Sequence, residues 1–477
     1  MRRCSMTDKS CRRILGLTLD GRPLFEPQAN ASSIVYAAMG GGKTTCVAVP
    51  TLMSLIADRD QAVVINDVKD GEIAVQIAGM CRKYGRKFAI LDDFNVLGAN
   101  NPHKISLNAL GAAQAGAEAA SVDLPFTVEA GMLALIEEPS NDQRNFYWRE
   151  SPRSFLEAAH NMLLSHTPRL ATPGGLAAFL SDPVLFTKAL EAETKAASSP
   201  HRHAAAQILD MKACNPEHYT QHLRAALSAV KIFAVPPLSD AGRMTDMTHA
   251  RLLREKYVVC LVNPVRHADR LGPYFALHLL SFMHAQLAGA TGRTCMILDE
   301  YCNAPLKEVI NRITVFRAYG LKCLFIAQSR MDSVRKYGER ETAILEENCT
   351  VKQWLKFSNF EEAERVSRAM GEAVHVSKSM SFSSDRLDFS ETMNLTKERL
   401  MTAAELMSLP DDEQIIHIAG VGFIRAKKVR QNEIAPYCFD LADNPLEGGR
   451  LPPNPKVRLA TPEKDRTDRR KTRETGR

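Results

Sequence analysis

The six residues Gly40-Gly41-Gly42-Lys43-Thr44-Thr45 are the most informative part of this sequence. It follows the β-branched and aromatic run 33–36 and precedes the apolar segment 46–56, which predicts a strand, a glycine-rich turn and a helix. This arrangement is the phosphate-binding loop of nucleoside triphosphatases, in which glycine N–H groups and the helix N-terminus hold a phosphate. We expect Lys43 to contact the β- and γ-phosphates and the Thr44 hydroxyl to ligate Mg²⁺. Ala37 stands where the full pattern has glycine.

A second segment, 294–300, supplies the carboxylates that such a loop requires. It is a short apolar run that ends in Asp299-Glu300. Asp299 is expected to hold Mg²⁺ through water, and Glu300 to polarise the attacking water. Together the two segments predict ATP or GTP hydrolysis.

Composition is that of a soluble α/β protein. The chain has 477 residues, of which 45% are hydrophobic and 24% charged, so two or three domains are expected. No apolar stretch reaches the roughly 18 residues of a membrane helix, and residues 1–13 lack the apolar core of a secretory signal. The eleven cysteines form no C-x-x-C pair. A reducing cytoplasm is therefore expected, and a zinc site is not.

The net charge of +6 is concentrated at the C-terminus. Residues 448–477 contain ten Lys/Arg and four Asp/Glu, so the other 447 residues balance at 51 of each sign. This tail is also rich in Pro and Gly, which predicts disorder over 446–477. It could bind nucleic acid or anionic lipid, or it could simply be solvated.

Apolar runs predict a parallel sheet interrupted by a helical block. The expected strands are 34–37, 62–66, 88–91, 258–262, 295–298, 323–327, 415–419 and 421–429. Between them, Ala/Leu-rich segments predict helices at 112–120, 131–138, 149–165, 175–180, 184–197 and 220–233. Residues 371–395 are expected to form a polar ribbon or loop. The predicted domains are an N-terminal extension (1–33), a nucleotide-binding domain in two parts (34–120 and 251–445), an inserted all-α domain (121–250) and the basic tail (446–477).

Several segments resemble the type IV coupling proteins of the TraG family, which connect conjugative plasmids or effectors to a type IV secretion channel. Asp67-Val68-Lys69-Asp70-Gly71-Glu72 is similar to the family's Asp-x-Lys-Gly-Glu, with one residue more between Lys69 and Gly71. The other matching segments follow in the family's order: Asn145-Phe146-Tyr147-Trp148-Arg149, Asp299-Glu300-Tyr301, Arg317-Ala318-Tyr319-Gly320, Ile326-Ala327-Gln328-Ser329 and Glu347-Asn348-Cys349. The resemblance implies a RecA-like P-loop domain that carries an inserted all-α domain.

Later motifs add two residues to the expected site. Gln328 follows an apolar strand, so its amide should lie at the carboxyl edge of the sheet and sense the γ-phosphate; a strand-capping polar residue is the alternative. Arg317 precedes that strand, and the resemblance favours it over Arg312 as an arginine finger that reaches a neighbouring subunit. A plain surface arginine is the alternative.

Three further residues have two readings each. Asp67 and Lys69 either meet the nucleotide or form a local salt bridge. Trp148 is expected to anchor the core of the helical block, with a base-stacking platform as the alternative.

The resemblance implies an ATP-hydrolysing coupling protein that recruits a DNA–relaxase complex or effectors and drives single-stranded DNA into the channel. Its implied partners are channel components and five further copies of this chain in a hexameric ring. Family members usually begin with membrane helices, whereas here the phosphate-binding loop lies at residue 40. A separate membrane-anchor subunit, or a ring docked peripherally at the inner membrane, is therefore expected. A duplex-DNA translocase of the FtsK/HerA type and a nucleotide-gated adaptor with little turnover are the competing functions.

Overall fold

A twelve-stranded mixed sheet forms the centre of the computed structural model. The structure describes residues 12–27, 31–139, 144–245, 247–289, 292–382, 389–446, 449 and 451–462, without the side chains of 375–382 and 389–396. Its strands are β1 Ile14–Leu17, β2 Pro23–Phe25, β3 Ser33–Ala37, β4 Gln61–Asp67, β5 Phe88–Leu91, β6 Lys104–Ile105, β7 Val258–Val262, β8 Arg293–Leu298, β9 Leu321–Ala327, β10 Val351–Lys356, β11 Glu372–Phe382, β12 Phe389–Arg399, β13 Glu413–Ile418, β14 Gly422–Lys427, β15 Ile434–Ala435 and β16 Val457–Arg458.

The described residues form seventeen α-helices, some of which pack on this sheet while those of the inserted block pack mainly on one another. They are α1 Val49–Leu55, α2 Glu72–Lys83, α3 Gly111–Glu118, α4 Leu124–Leu135, α5 Phe146–His166, α6 Pro173–Leu180, α7 Pro183–Lys195, α8 Arg202–Cys214, α9 Pro216–Val230, α10 His249–Arg254, α11 Gly272–Leu287, α12 Lys307–Asn311, α13 Ile313–Phe316, α14 Arg330–Tyr337, α15 Glu339–Glu347, α16 Phe360–Met370 and α17 Ala403–Met407. None of those in the described part of the chain is long and apolar enough to cross a bilayer.

The sheet order is β2-β1-β14-β13-β10-β3-β9-β8-β4-β7-β5-β6. Strands from β10 to β6 are parallel, and β13, β14, β1 and β2 extend the sheet as antiparallel neighbours. Along β3, Ile34 and Tyr36 belong to one hydrophobic core and Val35 and Ala37 to the other. A strand buried on both faces reads as a continuous apolar run, which is why these strands were visible in the sequence.

The predicted α/β fold with an inserted helical block is confirmed. Each of the eight expected strands is present, with ends that differ by at most two residues. Between β6 and β7 the chain forms helices α3 to α10, and no strand occurs among the described residues of that interval. Helix α8 was not predicted. It buries only Ala205 and Ile208, so its apolar face is too short to show a clear helical period.

Both chain ends contribute more structure than the sequence predicted. Residues placed in the N-terminal extension form β1 and β2 at the edge of the main sheet. In the segment expected to be disordered, β16 pairs with β15, and the Tyr437 hydroxyl donates to the Ala460 carbonyl at 2.5 Å. Disorder is therefore the wrong prediction for 451–462, and residues 463–477 lie outside the described residues. The ribbon expected at 371–395 is the β11–β12 hairpin.

The core role expected for Trp148 is wrong. Its side chain is 46% exposed, beside the equally exposed Phe146 and Tyr147 at the start of α5. Trp148 contacts the rings of His218 and His222 of α9 at centroid distances of 5.6 and 5.2 Å. Helix α5 directs its apolar face inward from Ser151 onward, which leaves this first turn on the surface.

The two tryptophans of the chain allow a direct stability test. Trp354 on β10 is 3% exposed, so Trp354→Ala should lower the free energy of unfolding by about 3–5 kcal/mol. Trp148→Ala should cost only about 1 kcal/mol, because half of its surface is already in water. The midpoints of thermal unfolding of both variants would be compared with that of the unsubstituted chain. Equal losses would contradict the surface position of Trp148.

Candidate nucleotide-binding site

The loop between β3 and the following helix has an open concave backbone. Gly40 and Gly42 adopt φ values of +73° and +91°, a region that side chains disfavour, and a Cβ on Gly40 would meet no atom within 4 Å. The helix then begins with a wide, π-type turn over Lys43–Ala48 and continues as α1. No described side chain caps this helix at Gly42. Its first N–H groups therefore remain available to an anion.

Lys43, Glu300 and Gln328 meet at the carboxyl edge of the sheet. Lys43 Nζ forms an ion pair with Glu300 Oε1, and Gln328 Nε2 donates to the same oxygen at 3.3 Å. The order β3-β9-β8 explains the convergence, because Gln328 follows β9, which lies between the strands that carry the loop and the acids. Glu300 has a φ of +46°, a left-handed conformation that is strained for a residue with a Cβ.

Asp299, which precedes Glu300, is buried next to these three residues. Its residue is 1% exposed, and its Oδ1 accepts the backbone N–H of Glu300 at 3.1 Å. Burial, with the neighbouring Glu300 charge, raises the pKa of Asp299 to about 6, while Lys43 and Lys69 oppose the shift. A buried carboxylate among two cations is stabilised in its charged form when a further cation approaches.

The Thr44 hydroxyl is hydrogen-bonded to Glu72, a residue for which the sequence predicted no role at the site. The hydroxyl donates to Glu72 Oε1 at 2.9 Å, and Glu72 also accepts from Asn444 Nδ2 at 3.2 Å. Lys69 Nζ lies 3.3 Å from Glu72 Oε1 and 3.4 Å from Thr44 Oγ1. The one-residue insertion before Gly71 thus still brings Glu72 to the loop. No sequence motif pointed to Asn444.

Lys69 thus forms the local salt bridge that was one of its two expected roles, whereas Asp67 forms hydrogen bonds to the backbone. Its Oδ2 accepts the backbone N–H groups of Ile73 and Ala74, both at 2.9 Å, at the start of α2. Burial raises the pKa of Asp67 to about 7. Because Asp67 accepts the two N–H groups at the start of α2, it fixes the helix that carries Glu72.

Two predicted residues lie outside this cluster. Thr45 Oγ1 contacts Cys46 Sγ at 3.8 Å. Arg317 is exposed in a short turn before β9, at the opposite edge of the sheet from Gln328. Seven strand residues separate the two, about 20 Å at the usual rise. Arg317 does not reach the site of its own chain.

The residues present fit a magnesium-bound phosphate group. Thr44 and Asp299 would supply the hard oxygen ligands that Mg²⁺ prefers, with Glu72 orienting Thr44, and Lys43 with the N–H groups at the start of the helix would supply the anion contacts. The Thr44 hydroxyl donates its proton to Glu72 and accepts from Lys69 Nζ, which leaves one lone pair for a cation. A bound Mg²⁺ would neutralise part of the phosphate charge. The residues named here would bind the phosphates and orient them.

Taken together, the parallel sheet, the phosphate-binding loop and the opposing acids define a RecA-like P-loop protein. The sequence profile described as "Type IV secretory system Conjugative DNA transfer" matches residues 9–446. The chain therefore belongs to the type IV secretory system conjugative DNA-transfer family, which confirms the resemblance seen in the sequence.

Solved structures share the fold. The bacterial conjugative coupling protein TrwBdeltaN70, in its unbound monoclinic form, is similar with a TM-score of 0.62 and 16% identity, over 87% of this chain and 88% of that one. TrwB in complex with ADP and Mg²⁺ has a TM-score of 0.61 and 16% identity, over 87% and 89% of the two chains. VirB4 of Thermoanaerobacter pseudethanolicus has a TM-score of 0.52 and 16% identity, over 89% and 97%. No match was found among curated proteins.

The contact between Glu72 and Thr44 can be tested through magnesium dependence. Glu72→Ala should weaken the affinity for a non-hydrolysable ATP analogue about tenfold in the presence of Mg²⁺, because the Thr44 hydroxyl loses the acceptor that orients it. With EDTA in place of Mg²⁺ the loss should be smaller. The matched control is Glu347→Ala, at an exposed position. An equal loss with and without Mg²⁺ would show that Glu72 does not act through the metal ligand.

Proposed function

We propose that this protein is an ATP-hydrolysing coupling protein of a type IV secretion and conjugation system. One observation carries the proposal: a chain of this family brings Lys43, Gln328 and Glu300 together beside the phosphate-binding loop. The structures of TrwB in complex with ADP and Mg²⁺ and with non-hydrolysable ATP and GTP analogues support ATP and Mg²⁺ as the ligands.

Each residue has a role in this proposal. Gly40, Gly42 and Thr45 contribute backbone N–H groups to the phosphates, and Gly41, whose N–H donates to the Ala38 carbonyl at 2.9 Å, shapes the loop. Lys43 contacts the β- and γ-phosphates, and Thr44 and Asp299 hold Mg²⁺. When Lys43 turns to the phosphate, Glu300 loses its ion-pair partner and can accept a proton from the attacking water. Gln328 then donates its amide hydrogen to the γ-phosphate rather than to Glu300.

The proposed assembly is a homo-hexamer in which Arg317 contacts the nucleotide of the neighbouring subunit. Its exposure at the far edge of the sheet supports action between subunits rather than within one. The proposed cargo is single-stranded DNA with a relaxase, or effector proteins, delivered to the secretion channel. We place the ring at the cytoplasmic side of the inner membrane.

Turnover is tested with purified protein, with and without single-stranded DNA. We expect ATP hydrolysis that DNA stimulates and that Lys43→Ala abolishes, because the ammonium that offsets phosphate charge is lost. Lys188→Ala, at an exposed position in the helical block, is the matched control and should hydrolyse normally. Binding without turnover would instead favour the nucleotide-gated adaptor, and stimulation by duplex DNA alone would favour an FtsK/HerA-type translocase.

Action of Arg317 between subunits is tested by mixing two inactive variants. The Lys43→Ala subunit retains Arg317, and the Arg317→Ala subunit retains Lys43. An intact site therefore forms only where an Arg317→Ala subunit binds the nucleotide and its neighbour on the arginine-donating side is a Lys43→Ala subunit. If the sites act independently, an equal mixture should regain roughly a quarter of the turnover of the unsubstituted ring. No recovery, with mixed rings verified by co-purification, would place Arg317 outside the site.

A further inference from the structure

Lys428 contacts the phosphate-binding loop from the antiparallel extension of the sheet. It directly follows β14 and is 8% exposed. Its Nζ donates to the Gly41 carbonyl oxygen at 3.3 Å and to the Asp411 carbonyl oxygen at 2.9 Å. The Lys428 backbone N–H also donates to the Asp412 carbonyl at 2.7 Å, so both ends of the residue are fixed to the same turn.

The bonding of this ammonium is unusual for a buried charge. Both acceptors are backbone carbonyls, and the nearby Asp411 carboxylate accepts from Lys356 Nζ at 3.3 Å instead. Among the described residues, no carboxylate forms an ion pair with Lys428. Burial lowers the pKa of Lys428, as expected for an ammonium without a carboxylate partner. A buried charge is costly, so its position against the loop needs a reason beyond packing.

The geometry of the peptide supplies that reason. The Gly41–Gly42 peptide is planar and trans, so its C=O and N–H groups point in opposite directions. Lys428 lies on the carbonyl side, and the Gly42 N–H therefore points away from Lys428. A cation at the carbonyl oxygen polarises the whole peptide and strengthens its N–H as a donor.

We propose that Lys428 is a positioning residue for the bound triphosphate. It tethers the loop through Gly41 and makes the Gly42 N–H a stronger donor to phosphate. The inference rests on the proposed function only in that the loop binds phosphate; it does not require hydrolysis.

The test measures the equilibrium affinity of the full chain for two probes, a non-hydrolysable ATP analogue and inorganic pyrophosphate, each with Mg²⁺. Lys428→Met should weaken both about tenfold, since it removes the charge and the hydrogen bonds. Lys428→Gln keeps a neutral donor and should fall between Lys428→Met and the unsubstituted chain. Lys428→Arg should recover most of the affinity. Lys427→Met, at the adjacent half-buried position, should bind normally.

Three results would overturn the proposal. Affinities of Lys428→Met within twofold of the unsubstituted chain would remove any role in binding. Equal affinities of Lys428→Gln and Lys428→Arg would show that charge is irrelevant and that the residue is only a tether. No binding of either probe to the unsubstituted chain would remove the phosphate site itself. Thermal unfolding verifies that each variant is folded, and if Lys428→Met is not, the comparison of Gln with Arg decides. Absence of ATP hydrolysis in the unsubstituted chain would contradict the proposed function and leave this measurement valid.

Discussion

One carboxylate oxygen, Glu300 Oε1, accepts from both Lys43 and Gln328, and the candidate site depends on this shared acceptor. The arrangement is a consequence of parallel pairing. Because β3, β9 and β8 are adjacent and run in the same direction, their carboxyl ends must lie at one edge of the sheet. The strained backbone of Glu300 then directs its side chain toward the loop rather than continuing the strand.

A second constraint comes from the C-terminal part of the chain. Asn444 bonds to Glu72, and Lys428 bonds to Gly41, so residues that follow the last long strands hold both sides of the loop. The pairing of β15 with β16, and the ion pair of Glu433 with Lys456 at 2.5 Å, fix this segment against the domain. The segment that follows β14 therefore contributes residues to the candidate site.

Whether a feature could be predicted from the sequence depended on whether it rests on a local pattern or on residues far apart in the chain. The loop, the acids and the parallel strands were accessible because each rests on a local pattern of turn residues and apolar runs. No local pattern could predict the contacts of Glu72, Asn444 and Lys428. The residues they bond to lie between 28 and 387 positions away in the sequence, and the order of strands in the sheet brings them together. Trp148 was misplaced because an aromatic residue at a helix start carries no local signal of which way it faces. The role of Arg317 requires a second subunit, so it stays a prediction.

Helix α14 connects the site to the helical block. It begins at Arg330, two residues after Gln328, and its N-cap Ser329 forms a capping box with Asp332 that fixes the first turn. At its far end Lys336 pairs with Glu137 of the helical block at 2.8 Å. The Tyr337 hydroxyl donates to the carbonyls of Tyr301 and Ala304, in the segment that follows Glu300.

These contacts fix both ends of α14. Its first turn lies beside the candidate nucleotide site, and its last turn contacts the inserted helical block. In the proposed function, a displacement of Gln328 on loss of the γ-phosphate would act on α14 through the Ser329 capping box, whereas the partly exposed Lys336–Glu137 pair would oppose it by only about 1 kcal/mol or less. The buried tyrosine bonds oppose an independent movement of α14 and the loop after Glu300, since an unpaired buried hydroxyl is costly. In the proposed function, α14 is the element that would carry a change at the phosphate to the segment after Glu300.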